Sequence, residues 1–397
     1  MDISSAVVLA AGEGERLRPL TRYRPKPMLP AAGRPILEYV LDALVEVGIP
    51  EINVVVGYRQ ERVRDQFGSY YDDVPLTYHS QEKQLGSGHA LLQAEESVDA
   101  DCVVVNGDEV VAASMIEQVM AAHTVEDIAT LAVIESEEAP MYGAVELAGD
   151  EVVGLKEKPD DDTYRLMNAG IYAVGPSFFD HIAQTDRTDG EIILTQTLSK
   201  LVDEGERVRG VRTDGFRTEM TYPWDLPGTT ADLLTAKGAD LPVSGTESRV
   251  ADSATVHDDA VLNEPVVVGP DAAVEATAVV GPYVALGRNT TVGAGAIVKR
   301  SVVDDDTRVG PNVTLVDSVT GQGVTFEAGV TAPRGPSDVR VGDGIHEDRP
   351  LGCVVADRTT VGGGATIEPG SLVGPDATVG PGTHVAGNVA AEAEVRR

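Results

Sequence analysis

Lysine, cysteine and aromatic side chains are scarce in this 397-residue chain, and each scarcity excludes something. Two cysteines, Cys102 in an apolar run and Cys353 far downstream, form neither a metal-binding spacing nor a disulfide framework, so both read as small buried hydrophobes. Only seven of the 31 basic residues are lysine, and 64 acidic residues leave a formal charge of -33. That balance provides no basic face for nucleic acid or an anionic membrane. No apolar run approaches the roughly 20 residues that span a bilayer. The opening segment MDISSAVVLAAGEGERL lacks a basic stretch before its short apolar run and breaks into glycine, unlike a signal peptide. We therefore expect a soluble, cytoplasmic protein with no nucleic-acid or membrane partner.

The carboxylates recur through both halves, among 42% hydrophobic residues, so they belong to a folded surface rather than a disordered tail. Such a surface repels itself in dilute buffer and is relieved when concentrated salt shortens the Debye length to about 3 Å at 1 M. The charge thus points to a halophilic setting.

The chain is long enough for two cores. Up to residue 236, short β-branched runs at Ala6 to Leu9, Ile52 to Val56, Cys102 to Val105 and Ala129 to Ile134 alternate with amphipathic stretches such as Ile36 to Val47. That alternation predicts an α/β, Rossmann-like domain over 1-236 with a mixed or mainly parallel sheet, its ligands beyond the carboxyl ends of the strands. A linker rich in Gly, Ser, Pro and charge follows at 237-249. From 250 to 397 the period changes. Apolar residues recur every six positions from Val256 through Leu262, Val268 and Val274 to Val298, resume at Val303, Val309 and Leu315, and return from Val361 to Val385, often followed by Gly. Six fits neither helix nor alternating strand, and it is the hexapeptide signature of a parallel β-helix with one inward aliphatic per face. The hexapeptide form resembles left-handed helices of the acyltransferase-like family, an exception to right-handed crossovers. Residues 331-351 lose the period and read as an irregular projecting loop.

The strongest chemical signal is Leu9-Ala10-Ala11-Gly12-Glu13-Gly14-Glu15-Arg16-Leu17 followed by Arg24-Pro25-Lys26-Pro27-Met28. A strand, a glycine turn and two cations make a phosphate cradle: backbone N–H groups approach an anion where no Cβ obstructs, and Arg16 and Lys26 neutralise it. No Gly-Lys-Ser/Thr closes the loop, so it is not a Walker motif. Asn106-Gly107-Asp108 sets a carboxylate at the end of another strand, a place suited to Mg²⁺, which keeps several waters and takes one or two carboxylates plus substrate phosphate.

These strings resemble the signature of the nucleoside-diphosphate-sugar pyrophosphorylases, or sugar-1-phosphate nucleotidylyltransferases, and further matches follow in that family's order. One departure is Glu15, where the family often has Thr. The resemblance implies that Leu9, Ala10, Ala11, Gly12 and Gly14 cradle a nucleoside triphosphate and that Gln81, Gly86 and Ser87 read a pyrimidine base. By the same resemblance Gly143, Glu157, Lys158 and Asn168 hold the sugar 1-phosphate, and Asp108 with Asp225 binds Mg²⁺. The implied reaction is attack by a sugar-phosphate oxygen on the α-phosphorus of UTP or dTTP, with Arg16 holding the leaving pyrophosphate and Lys26 the α-phosphate. Glucose and N-acetylglucosamine 1-phosphates are the expected acceptors.

A β-helix behind such a domain resembles archaeal relatives of the bifunctional uridylyltransferase and acetyltransferase enzymes, in which a histidine serves as base. The corresponding stretch here, Val309 to Leu315 around Asn312, has no histidine, and the β-helix half holds only His257, His346 and His384. We therefore expect the β-helix to assemble a homo-trimer or higher oligomer, or to take a regulatory ligand. Two alternatives are a bifunctional enzyme that also acetylates glucosamine 1-phosphate and a non-catalytic regulatory subunit. The retained Arg16, Lys26, Asp108 and Asp225 argue against the latter. From the charge, the thermal midpoint is expected to rise between dilute buffer and molar KCl; a flat or falling midpoint in a calorimetric salt series would refute the halophilic reading.

Overall fold

The computed structural model describes residues 3–137, 139, 143–157, 159, 163–236 and 249–396. By contacts they form two interleaved compact units. Unit one contains the residues up to Glu13 and Ile36–Thr218, and unit two contains Gly14–Pro35, the segment from Glu219 and the β-helix. The sequence-based division at 236 is a division along the chain, whereas unit two takes in two segments that precede it. Of the expected linker, 237–248 lies outside the described residues.

In the first unit Ser5–Ala10 is buried along almost its whole length, as a strand covered on both faces must be. It pairs in parallel with Ile52–Val56 on one side and Cys102–Asn106 on the other, and Val74–Ser80 continues the parallel run beyond Ile52–Val56. Leu166–Val174 then enters antiparallel between Cys102–Asn106 and Ala129–Glu135, which makes the ten-stranded sheet mixed. Helix Ile36–Glu46 buries Ile36, Leu37, Val40, Leu41 and Leu44, residues three and four apart that form one apolar stripe. Three parallel strands thus deliver Ala10, Val56 and Asn106 to the same end of the sheet.

In the second unit the six-residue period builds a left-handed parallel β-helix with faces of seven, eight and seven strands. Val268, Val274, Val280, Leu286, Val292, Val298, Val303, Val309 and Leu315 all lie in one core, which continues through Val361, Ile367, Val373, Val379 and Val385. A second inward position appears two residues earlier, at Ala272, Ala278, Ala296, Val313, Val324 and Ala365. Corners between faces use left-handed backbone, as at Asn289 (φ 53) and Asn312 (φ 56), residue types that tolerate it. The segment expected as an irregular loop is a β-hairpin, Gly335–Val341 against Gly344–Leu351, turning at Gly342. Its pattern has a period of two, with only Val339 and Val341 buried on the first strand, so a search for sixes passes over it. Cys102 and Cys353 are free and buried, and burial pushes each thiol up to about 12, as inert core cysteines require. Among the described residues no helix is long and apolar enough to cross a membrane.

Candidate active site

In the α/β unit, Leu9, Ala10 and Ala11 end a buried strand, and Gly12 emerges into the open. A Cβ on Gly12 would meet nothing within 4 Å, so packing does not explain this glycine. The turn beside it is held by Gln84, whose Nε2 donates to the Ala11 carbonyl at 2.9 Å. Gly57 makes room for that bond, since a Cβ there would sit 2.7 Å from Gln84 Nε2. Gln84 was not singled out from sequence, because a polar residue in a loop carries no periodic signal.

Gln81 is only 3% exposed, and its amide donates to the Gly86 carbonyl at 3.1 Å and meets His89 Nδ1 at 3.0 Å. Burial, and then Arg187, keep His89 below its ordinary pKa, in the neutral form that accepts such a bond. Gly86 has φ +92 and lies against Ile192, and Ser87 Oγ accepts from the Leu194 N–H at 3.0 Å. The expected base-reading loop is therefore a bonded, preorganised structure.

At the end of the neighbouring strand, the Gly107 N–H donates to the Leu9 carbonyl at 2.9 Å, which joins the Asp108 turn to the glycine loop. Asp108 is half-buried. The next residue, Glu109, is buried and saturated, accepting from Asn106 Nδ2 at 2.9 Å and from Arg217 at 2.7 and 2.8 Å. Glu109 thus fixes this turn, and adjacency alone had not distinguished its part from that of Asp108.

Three of the expected sugar residues meet. Gly143 pairs with Glu157 across two strands, and a Cβ on Gly143 would lie 3.5 Å from Glu157 Oε2 and 3.6 Å from Asn168 Cβ. Thr195 Oγ1 donates to Glu157 at 3.0 Å, and Asn168 donates to the Tyr172 hydroxyl at 2.6 Å. Carboxylate, amide and hydroxyls clustered this way match what sugar hydroxyls ask of a site. Lys158 lies outside the described residues.

The second unit carries Gly14, Arg16, Lys26 and Asp225. Gly14 takes φ +68 with its carbonyl accepting from Thr21 Oγ1 at 2.8 Å, and a Cβ there would sit 2.8 Å from Lys26 Cβ. Lys26 is 7% exposed, with its ammonium 3.7 Å from Glu219. Arg16 lies over the Tyr222 ring at 5.7 Å, and Tyr222 stacks on Trp224 at 4.5 Å. Asp225 opens helix Asp225–Thr235 and accepts the Thr221 and Tyr222 N–H groups at 2.9 and 2.7 Å. Burial pushes its carboxyl above the ordinary value, assisted by Glu219 and opposed by those two donors and Lys26. A buried carboxylate beside a second carboxylate suits a cation.

Among the described residues no group of three or more His, Cys, Asp or Glu is spaced to hold a metal. Asp108 and Asp225 each offer the hard carboxylate oxygen that Mg²⁺ takes one or two at a time, with phosphate oxygens and water supplying the rest.

The model of the nucleotidyl transferase family matches residues 5–241, and that of the GMPPB C-terminal domain matches 262–334. The bifunctional protein GlmU of Methanococcus maripaludis is 34% identical over 390 residues, spanning 92% of this chain and 90% of GlmU. The UTP–glucose-1-phosphate uridylyltransferase AglF of Haloferax volcanii is 36% identical over 228 residues, spanning 55% of this chain and 92% of AglF. A putative glucose-1-phosphate thymidylyltransferase from Bacillus anthracis superposes with TM-score 0.53 at 21% identity, over 61% of this chain and 98% of its own.

The two loop glycines separate packing from ligand approach. Gly14→Ala is expected to cost about 1–2 kcal/mol for the left-handed backbone alone, with the Lys26 contact added, and to lower the thermal midpoint. Gly12→Ala is expected to leave the midpoint unchanged and to weaken nucleoside triphosphate binding in a calorimetric titration. Unaltered binding would remove Gly12 from the cradle.

Proposed function

The chain belongs to the nucleotidyl transferase family and forms nucleotide sugars, and on that premise we propose that it joins UTP or dTTP to glucose 1-phosphate or N-acetylglucosamine 1-phosphate with release of pyrophosphate. The observation that carries the reading is the hydrogen bond of Gly107 to Leu9, which brings the glycine loop and the Asp108 turn together at one sheet edge. The uridylyl and glucose 1-phosphate in the name of AglF favour that pair of substrates.

The sugar phosphate is already anionic, so attack on the α-phosphorus needs no general base, and positioning with charge neutralisation carries the rate. Leu9, Ala10, Ala11, Gly12 and Gly14 receive the triphosphate, Arg16 holds the departing pyrophosphate, and Lys26 neutralises charge at the α-phosphate. Gln81 with Gly86 and Ser87 sets the base, and Gly143, Glu157 and Asn168 set the sugar, with Lys158 toward its phosphate. Asp108 and Asp225 are the proposed carboxylates for Mg²⁺, which supplies charge neutralisation on phosphate oxygens when bound.

For the β-helix we favour assembly over acetyl transfer. Val309, Val313 and Leu315 point into the core of the stretch that would carry the base, His257 and His384 are exposed, and His346 packs on Tyr222 and Trp224. Val261, Val279 and Ile297 stack in register on one outer face, with Val261 and Ile297 exposed, an apolar stripe fit for a second copy. Sedimentation is expected to give a three-chain species or larger; a single-chain mass in molar KCl would overturn that assignment.

The reaction is tested by pyrophosphate release in molar KCl with Mg²⁺ across five nucleoside triphosphates and four sugar 1-phosphates. Release with UTP or dTTP, cut by orders of magnitude in folded Asp108→Asn and in folded Asp225→Asn, is expected. No release with any pair from folded protein would refute the reading, and near-normal turnover in either variant would remove that residue from the metal site.

A further inference from the structure

Two consecutive residues of the phosphate-loop segment are gripped by the β-helix. Arg24, 5% exposed, donates one guanidinium nitrogen to Asp304 and another to Asp357, and both carboxylates are buried with it. Next to it, the Tyr23 hydroxyl donates to Asp376 at 2.9 Å. Arg358 pairs with Asp376 through two bonds of 2.7 and 2.8 Å and lies over the Tyr23 ring at 4.5 Å.

The receiving groups come from one edge of the β-helix. Asp304, Asp357 and Asp376 follow the strands Val302–Val303, Cys353–Val355 and Ser371–Val373, which belong to one face. The coil between the first two carries Gly321, where a Cβ would fall 2.2 Å from Asp357 Oδ1, so that coil is bare where the Asp357 carboxylate needs room. The carboxylates are themselves anchored: the Asp305 N–H donates to Asp304 at 2.8 Å and the Gln322 N–H to Asp357 at 2.7 Å. Arg24 stands two residues before Lys26 and eight after Arg16 on the same short segment.

We propose that this edge of the β-helix is a positioning device for the nucleotidyl transfer reaction: Asp304 and Asp357 clamp Arg24, Asp376 holds Tyr23, and together they set the segment that presents Arg16 and Lys26 to the triphosphate. The inference rests on the assignment of Arg16 and Lys26 to the phosphates. The guanidinium is the fixed point, because its planar fork bonds the two carboxylates in fixed directions, where an ammonium offers only rotatable donors on a flexible stem. Both cations act on the nucleotide, so loosening the clamp shows in the kinetics of the nucleotide and leaves those of the sugar alone.

The test uses the full chain in molar KCl with Mg²⁺. The doubly substituted Asp304→Asn/Asp357→Asn protein, assayed well below its own thermal midpoint, is expected to raise KM for the nucleoside triphosphate at least tenfold while KM for the sugar 1-phosphate stays within twofold. Arg24→Lys is expected to fall between wild type and that variant. Tyr23→Phe, which removes one hydroxyl and keeps the packing, provides the same reading should the double variant not fold, with a rise of about threefold. A merely structural role would lower the active fraction, and hence kcat, with both KM values unmoved; that outcome overturns the proposal. Lys26→Ala separates the two layers of the argument. Abolished turnover there with unchanged KM values in the clamp variants refutes the clamp alone, whereas full turnover in Lys26→Ala refutes the phosphate assignment and the clamp with it.

Discussion

A guanidinium taken out of water must meet carboxylates, and the meeting of Arg24 with Asp304 and Asp357 decides which part of the chain belongs with which. Burial alone would lower the Arg24 pKa, and the two carboxylates more than reverse it. Replacing Arg24 by a neutral residue would leave two buried carboxylates uncompensated, a loss of roughly 3–5 kcal/mol for buried ion pairs. The consequence is topological. Gly14–Pro35 is bound into the β-helix unit, and the Ala32 N–H, donating to Thr230 Oγ1 at 3.3 Å, ties in helix Asp225–Thr235 as well. Segments carrying Arg16, Lys26 and Asp225 thus pack with the β-helix, although the family model that matches them is that of the nucleotidyl transferase.

The α/β unit is built on an ordinary open sheet. Parallel strands give their carboxyl ends to Ala11, Gly57 and Asp108, and close approaches at Gly57 and Gly107 hold those turns against one another. The cluster of Gly143, Glu157 and Asn168 forms where antiparallel strands join the sheet. There Thr195 bonds Glu157 and Tyr172 bonds Asn168.

Much of this was legible in the residues. A period of six has no other simple reading, so the β-helix and its inward aliphatics were legible one by one. The glycine loop and the Asp108 turn were legible because strand-turn chemistry is local. The rest depends on pairs distant in sequence. Nothing near Arg24 marks Asp304 and Asp357 as its partners; the one trace is that Asp304 follows the inward Val303, where glycine follows most other inward residues. The hairpin at 335–351 escaped because charged residues mask its period of two, and Glu109 because its partner Arg217 is 108 residues away.

The most direct measurement of the central claim is the reverse reaction. Incubating the protein with UDP-glucose or dTDP-glucose and ³²P-labelled pyrophosphate, in molar KCl with Mg²⁺, is predicted to move label into the nucleoside triphosphate with an equal amount of glucose 1-phosphate formed. The N-acetylglucosamine nucleotides serve as the second pair of substrates. Label that stays in pyrophosphate with every one of these nucleotide sugars, from folded protein, would contradict the account.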